Sequence, residues 1–155
     1  MARFREVKAE QKMKKLIEFH SHHKYLLLAY NQSRYRICGR IVANHAKMDL
    51  NRVIELYEKE LKHILKSVPQ YQSIINTLQH AFGGISKYLS HEEKSFFLNT
   101  IEEYRDERIP LSTINHLIYS YAVRFDSQYL MDQVFFNPYP KALIAITDSG
   151  KGRHY

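Results

Sequence analysis

The chain has 155 residues, 45% of them hydrophobic, which suits one domain with a buried core and argues against a disordered chain. Its longest apolar run, Tyr25 to Tyr30, is far shorter than the roughly 20 residues of a membrane span, and its single cysteine, Cys38, excludes an internal disulfide framework and any multi-cysteine zinc or iron–sulfur site. The net charge of +7 is unevenly placed: residues 1–66 carry 15 Lys/Arg against 7 Asp/Glu, whereas residues 67–155 carry 8 against 9.

Such an asymmetry favours a polyanionic partner, and nucleic acid is the commonest one. An anionic membrane surface fits less well, because no strongly amphipathic segment with exposed Trp or Phe stands out, and no membrane partner is expected. The opening stretch, "MARFREVKAEQKMKK", is charged throughout and lacks the apolar centre of a secretory signal, so a cytoplasmic protein is expected.

The hydrophobic periodicity is helical almost everywhere, and no alternating run reads as a strand. A first helix is predicted from Phe4 to Tyr30, with room for one break; its apolar face holds Leu16, Phe19, His20, His23, Leu26, Leu27 and Tyr30. A second is predicted from Ser33 to Ala46. Asp49 can cap a third, which buries Val53, Leu56, Tyr57, Leu61, Ile64 and Leu65. After Pro69, a fourth buries Tyr71, Ile74, Ile75, Leu78, Phe82 and Ile85, and Gly83-Gly84 late in it suggests a kink or a close helix approach.

"SHEE", Ser90 to Glu93, has capping-box spacing and should open a fifth helix, with Phe97, Ile101 and Tyr104 inward, that stops before Pro110. A sixth uses Leu111, Ile114, Leu117, Ile118, Tyr121 and Phe125. Asp126 could cap a short seventh through Phe135, "NPYP" reads as a turn, and a last short helix could start near Lys141. The expected fold is an all-α, single-domain helical bundle of about six to eight helices over residues 1–148, followed by a loose tail over 149–155.

Two groups of residues carry chemistry. In "FHSHHKYLLLAY", helical spacing puts His20 and His23 among the leucines, His22 toward the polar side and Lys24 on the flank. The H-x-x-H pair could supply two metal ligands, with His45, His63, His80, His91 or His116 as further candidates. No H-E-x-x-H motif accompanies it, and no metal or other cofactor is expected. The simplest reading makes His20 and His23 core-edge residues; a pocket with Lys24 that binds or transforms a small ligand is the alternative. In the second helix, Arg36, Arg40 and Lys47 fall on one stripe with Ala43 between them and Gly39 at its border. Arg34 lies apart and Tyr35 is available to stack on an unpaired base. Guanidinium forks suit phosphate. No P-loop and no G-x-S-x-G elbow occurs, and Glu92-Glu93 and Glu102-Glu103 read as solvent-facing charges beside Lys94 and Arg105.

The stretch "FHSHHKYLLLAY…YRICGRIVA" resembles the opening of the bacterial YbgA-like domain family, F-H-x-x-H-K-Y-x-L-L-A-H followed by Y-R-x-x-G-R-x-V-A. "NTLQHAFGGISKYLSHEEK", "IEEYRDERIPL" and "YLMDQVFFNPYPKAL" extend the resemblance over residues 16 to 143. Two positions depart from the pattern: Tyr30 replaces a histidine, and Gly84 stands where an aromatic is usual. The resemblance implies a domain found alone or fused behind a desulfidase that acts on thiouracil or thiolated tRNA uridine, where it helps to hold tRNA. The desulfidase's cluster cysteines lie in that other domain. The positions that match are His20, His23, Lys24, Tyr35, Arg36, Gly39, Arg40, Gln79, His80, Tyr104 and Arg105.

The leading expectation is therefore a non-catalytic domain that binds structured RNA, tRNA above all, through Lys24, Arg34, Tyr35, Arg36, Arg40 and Lys47. The alternatives are a small-ligand site or enzyme built on His20, His23 and Lys24, with Gln79, His80, Tyr104 and Arg105 as further pocket candidates, and an interaction module for a separately encoded desulfidase.

Overall fold

The computed structural model describes residues 1–137, and every regular element among them is helical. In chain order these are α1 (Ala2–Glu10), α2 (Met13–His22), α3 (Lys24–Ala43), α4 (Leu50–Leu65), α5 (Tyr71–Ile85), a single 3-10 turn (Ser86–Tyr88), α6 (His91–Arg105), α7 (Leu111–Arg124) and α8 (Gln128–Met131). The "NPYP" turn beyond Asn137, the helix expected near Lys141 and the expected tail lie outside the described residues.

The helix expected from Phe4 to Tyr30 is broken twice. Gln11 adopts a left-handed conformation after α1, and His23 turns the chain between α2 and α3. Conversely, no loop separates the expected first and second helices. α3 runs through both, but Asn31 leaves helical geometry at φ −163° and ψ 100°. Its Oδ1 accepts a 2.9 Å hydrogen bond from the Arg34 amide, so Asn31 acts as an internal N-cap for the half that follows.

That second half ends at Ala43 rather than Ala46. Asn44 takes the left-handed C-cap conformation that asparagine tolerates better than most residues. Its side-chain amide both accepts from Met48 N and donates to Met48 O, each at 2.9 Å, closing the loop to α4.

The predicted caps of α4 and α6 form. Asp49 accepts from Arg52 N, and Ser90 with Glu93 completes a capping box. α6 stops before Pro110, ending at Arg105 ahead of a loop in which Glu107 is left-handed. The next boundary differs. Asp126 is left-handed too, and its amide bonds back to Val123 O while Ser127 N bonds to Ala122 O; it closes α7 instead of opening the next helix, and α8 is a single turn. Gly83 and Gly84 neither kink α5 nor admit a neighbour, for nothing lies within 4 Å of where a Cβ would stand. Tyr71, expected inside, is exposed and leans on the ring of Tyr104 at 4.9 Å.

Among the described residues the buried apolar side chains form two clusters, and α3 serves both. Leu27 and Cys38 join Phe4, Leu16, Phe19, Tyr57 and Ile64 from α1, α2 and α4. Tyr25 and Ala29 join residues of α5 to α8, among them Ile75, Leu78, Phe97, Ile114 and Ile118. Gln133 ties the two parts at the His23 turn. Fully buried, it donates from Nε2 to Ser21 O at 2.9 Å and to Tyr129 O at 3.2 Å, while Val134 N donates to His22 O at 3.0 Å. Truncating Gln133 to Ala strands the Ser21 carbonyl without this partner. A loss of about 1–3 kcal/mol is expected from urea unfolding, and an unchanged midpoint would show that the tie is dispensable.

Candidate nucleic-acid interface

The second half of α3 presents Ser33, Arg36, Arg40 and Ala43 to solvent, while Cys38 points into the core and Ile37, Ile41 and Val42 are half-buried. Arg36 and Arg40 are one turn apart, and among the described residues neither has a carboxylate within 4.0 Å. Lys47 is exposed as well, but it stands past the Asn44 cap in a left-handed loop conformation, so it does not continue the helical stripe.

Arg34 behaves differently. Its guanidinium donates to Glu60 of α4 at 2.8 Å, with Glu60 largely shielded, so this cation joins two helices. Tyr35 is half-buried, and its ring stacks on His20 at 4.9 Å with the planes 7° apart, which commits one of its faces. Lys24 lies half-buried at the start of α3, its ammonium 5.2 Å from the Tyr25 ring and 5.7 Å from that of Tyr129. Lys24 precedes the break at Asn31 and lies against the rings of Tyr25 and Tyr129, so it belongs to a different part of the surface from the arginine pair.

The histidines of the opening motif separate as well. His22 is exposed. His20 Nδ1 shares a 3.0 Å hydrogen bond with the hydroxyl of Tyr57, which is fully buried. His23 is buried, stacks on Phe19 at 3.9 Å and donates from Nδ1 to Phe19 O at 2.8 Å. Burial pushes both imidazoles down from the usual value near 6.5 to about 4, so both are neutral at pH 7. Burial likewise pushes the Cys38 thiol up to about 12, which leaves it protonated and a poor nucleophile. Gly39 borders His20: a Cβ there would stand 3.7 Å from its Nε2, an ordinary contact.

The expected pocket residues do not converge. One cavity lined by His23 lies between α1 and α2, and the other is walled by α1, α2, the start of α3, the end of α4 and Val134, whereas His80 lines a small cleft between α3 and α5 that shares no residue with either. Gln79 is exposed on α5, and Tyr104 and Arg105 stand at the end of α6, where Arg105 pairs with Glu102 at 2.7 Å. Among the described residues, no three His, Cys, Asp or Glu side chains converge to hold a metal ion, and no helix is long and apolar enough to cross a membrane.

Sequence reasoning did not single out the groove where α3 breaks. It is lined by Tyr30, Asn31, Gln32 and Ser33 on one side and by Ser67, Val68, Gln70 and Ser73 on the other. Its signal is compositional: the run "NQS" from Asn31 to Ser33 interrupts an apolar helix with three polar residues, two of them, Asn and Ser, turn formers.

The family described as "Protein of unknown function (DUF1722)" matches residues 24–140. The "Uncharacterized protein YbgA" of Escherichia coli (strain K12) is 25% identical over 129 residues, covering 83% of this chain and 76% of that protein. No solved structure matches the chain.

The neutral histidines give a signed pH dependence. The unfolded chain takes up protons near pH 6.5, whereas folded His20 and His23 resist them until about pH 4. Their contribution to stability is complete above about pH 6.5 and is lost as pH falls toward 4, with a slope approaching about 1.4 kcal/mol per pH unit for each imidazole. Urea midpoints measured from pH 7.5 to 4 should fall with this slope, and less steeply in His20→Gln. An equally steep fall in the variant would show that His20 is not one of the groups involved.

Proposed function

Starting from the fact that the chain belongs to the DUF1722 family of YbgA-like proteins, we propose that it is a non-catalytic domain that binds structured RNA, with tRNA as the favoured ligand, in the cytoplasm. The observation that carries this reading is the Arg36–Arg40 pair: two exposed guanidiniums on one helix face, free of carboxylate partners among the described residues. An unpaired arginine can give both arms of its planar fork to phosphate oxygens.

The charge distribution supports the same reading, since the excess of positive charge belongs to residues 1–66, the part of the chain that contains the pair. The resemblance to domains fused with tRNA-modifying desulfidases points the same way. Arg36 and Arg40 are the primary phosphate contacts in this reading, with Lys47 as an accessory cation beyond the helix end. Arg34 contributes by fixing the arginine-bearing helix to α4 through Glu60. Lys24 and the half-buried ring of Tyr35 contribute less.

Filter binding of tRNA at about 50 and 200 mM salt tests the proposal. Affinity should fall steeply with salt. Arg36→Ala/Arg40→Ala should weaken binding at least tenfold at low salt. It should also reduce the slope of log K against log salt by about 1.4–1.8, since each neutralised phosphate adds about 0.7–0.9 to that slope. Absence of binding by the native chain at low salt, or an unchanged affinity and slope in the double variant, would overturn it.

A further inference from the structure

The groove at the break in α3 differs in chemistry from the surface beside it. Its wider stretch has a volume of about 330 Å³, within the range of about 300–1,000 Å³ typical of small-ligand sites. It continues past Gln32 and Ser73 into the narrow cleft of about 30 Å³ that reaches Asn76, Thr77 and His80 on α5. No Asp, Glu, Lys or Arg lines either stretch.

Several of the polar groups are already engaged. Asn31 caps Arg34 N, Ser67 donates to Ile64 O, and Thr77 donates to Ser73 O. Others are not. Asn76 Oδ1 accepts from Gln72, which leaves its amide N–H groups free to donate, and Gln32 faces it from α3 with a whole side-chain amide exposed. Half-buried Tyr30 also lines the wider stretch.

Ser33, on the groove wall, lies one turn before Arg36 and two before Arg40 on the same helix face. A neutral groove of amides and hydroxyls is a poor phosphate site, yet it suits a planar, uncharged ligand that presents donors and acceptors along its edge. An amide can donate and accept at once, as a base edge requires. We infer that this groove receives a single unpaired nucleobase of the RNA whose phosphates lie on Arg36 and Arg40, with Gln32 and Asn76 reading the edge of the base. The inference rests on the RNA-binding reading above. It adds that recognition requires an unstacked base, because base edges inside an A-form helix are poorly accessible to side chains.

The test compares two RNA probes of equal length, a single-stranded oligonucleotide of mixed sequence and a fully paired duplex, on the native chain, Gln32→Ala/Asn76→Ala and Arg36→Ala/Arg40→Ala. Gln32 and Asn76 are exposed, so their truncation should leave the fold intact, which circular dichroism checks. The single strand should bind more tightly than the duplex. The groove variant should bind the single strand about tenfold more weakly with an unchanged salt slope, because both arginines still meet their phosphates.

A separate titration uses free adenosine and uridine, which carry no phosphate. Amide resonances of Gln32, Ser73 and Asn76 should shift in the native chain and not in the groove variant. Equal affinity for single strand and duplex, or an unaffected groove variant, would overturn the groove while leaving the arginine pair standing. Loss of all RNA binding by the native chain, with nucleoside shifts retained, would overturn the phosphate reading instead.

Discussion

The Asn31 cap joins the two halves of α3, the helix against which both cores pack. α3 packs against both cores, and it is not one continuous helix. The chain leaves helical geometry at Asn31 and starts again under the cap that the Asn31 side chain provides. The first half gives Tyr25 and Ala29 to the core of α5 to α8 and Leu27 to the core of α1, α2 and α4, and the second half adds Cys38 to the latter. The break sets the polar side chains of Asn31, Gln32 and Ser33 along one wall of the groove.

Charge is sorted by the same packing. The first part of the chain is rich in cations, but several are engaged: Lys8 and Lys62 reach Glu58, Lys15 reaches Glu10 and Glu18, and Arg34 reaches Glu60. Exposed pairs of this kind contribute little to stability, yet they decide which cations have a carboxylate beside them. Among the described residues, Arg36 and Arg40 have none. His20 and His23 add no charge at neutral pH, because burial holds them in the neutral form. They serve as flat polar rings at the core margin, where His20 gives buried Tyr57 a hydrogen-bond partner.

Much of this was legible in the sequence. Helical periodicity gave the all-α class, and short-range chemistry gave the caps at Asp49 and Ser90, since each depends on residues only three positions apart. The apolar stripe of α4 and the exposure of Arg36 and Arg40 follow from the same periodicity. Features that depend on tertiary partners were not legible. Glu60, from another helix, takes Arg34, and Tyr129 offers its ring to Lys24. Gln133 bonds across more than a hundred residues to Ser21, a pairing no local pattern announces. Boundaries moved where a non-glycine residue took a left-handed conformation, at Gln11, Asn44 and Asp126, each of them a polar residue that periodicity leaves open to either helix or turn. The groove was missed because neutral residues spread over two helices leave no spacing to read.

Phosphate binding and base recognition are both assigned to one surface, the second half of α3 with the groove beside it. Ultraviolet crosslinking of bound tRNA, followed by mapping of the modified peptides, locates that surface without any substitution. Crosslinks should concentrate in residues 30–43 and 67–80. Crosslinks confined to α6, α7 or α8 would contradict the assignment.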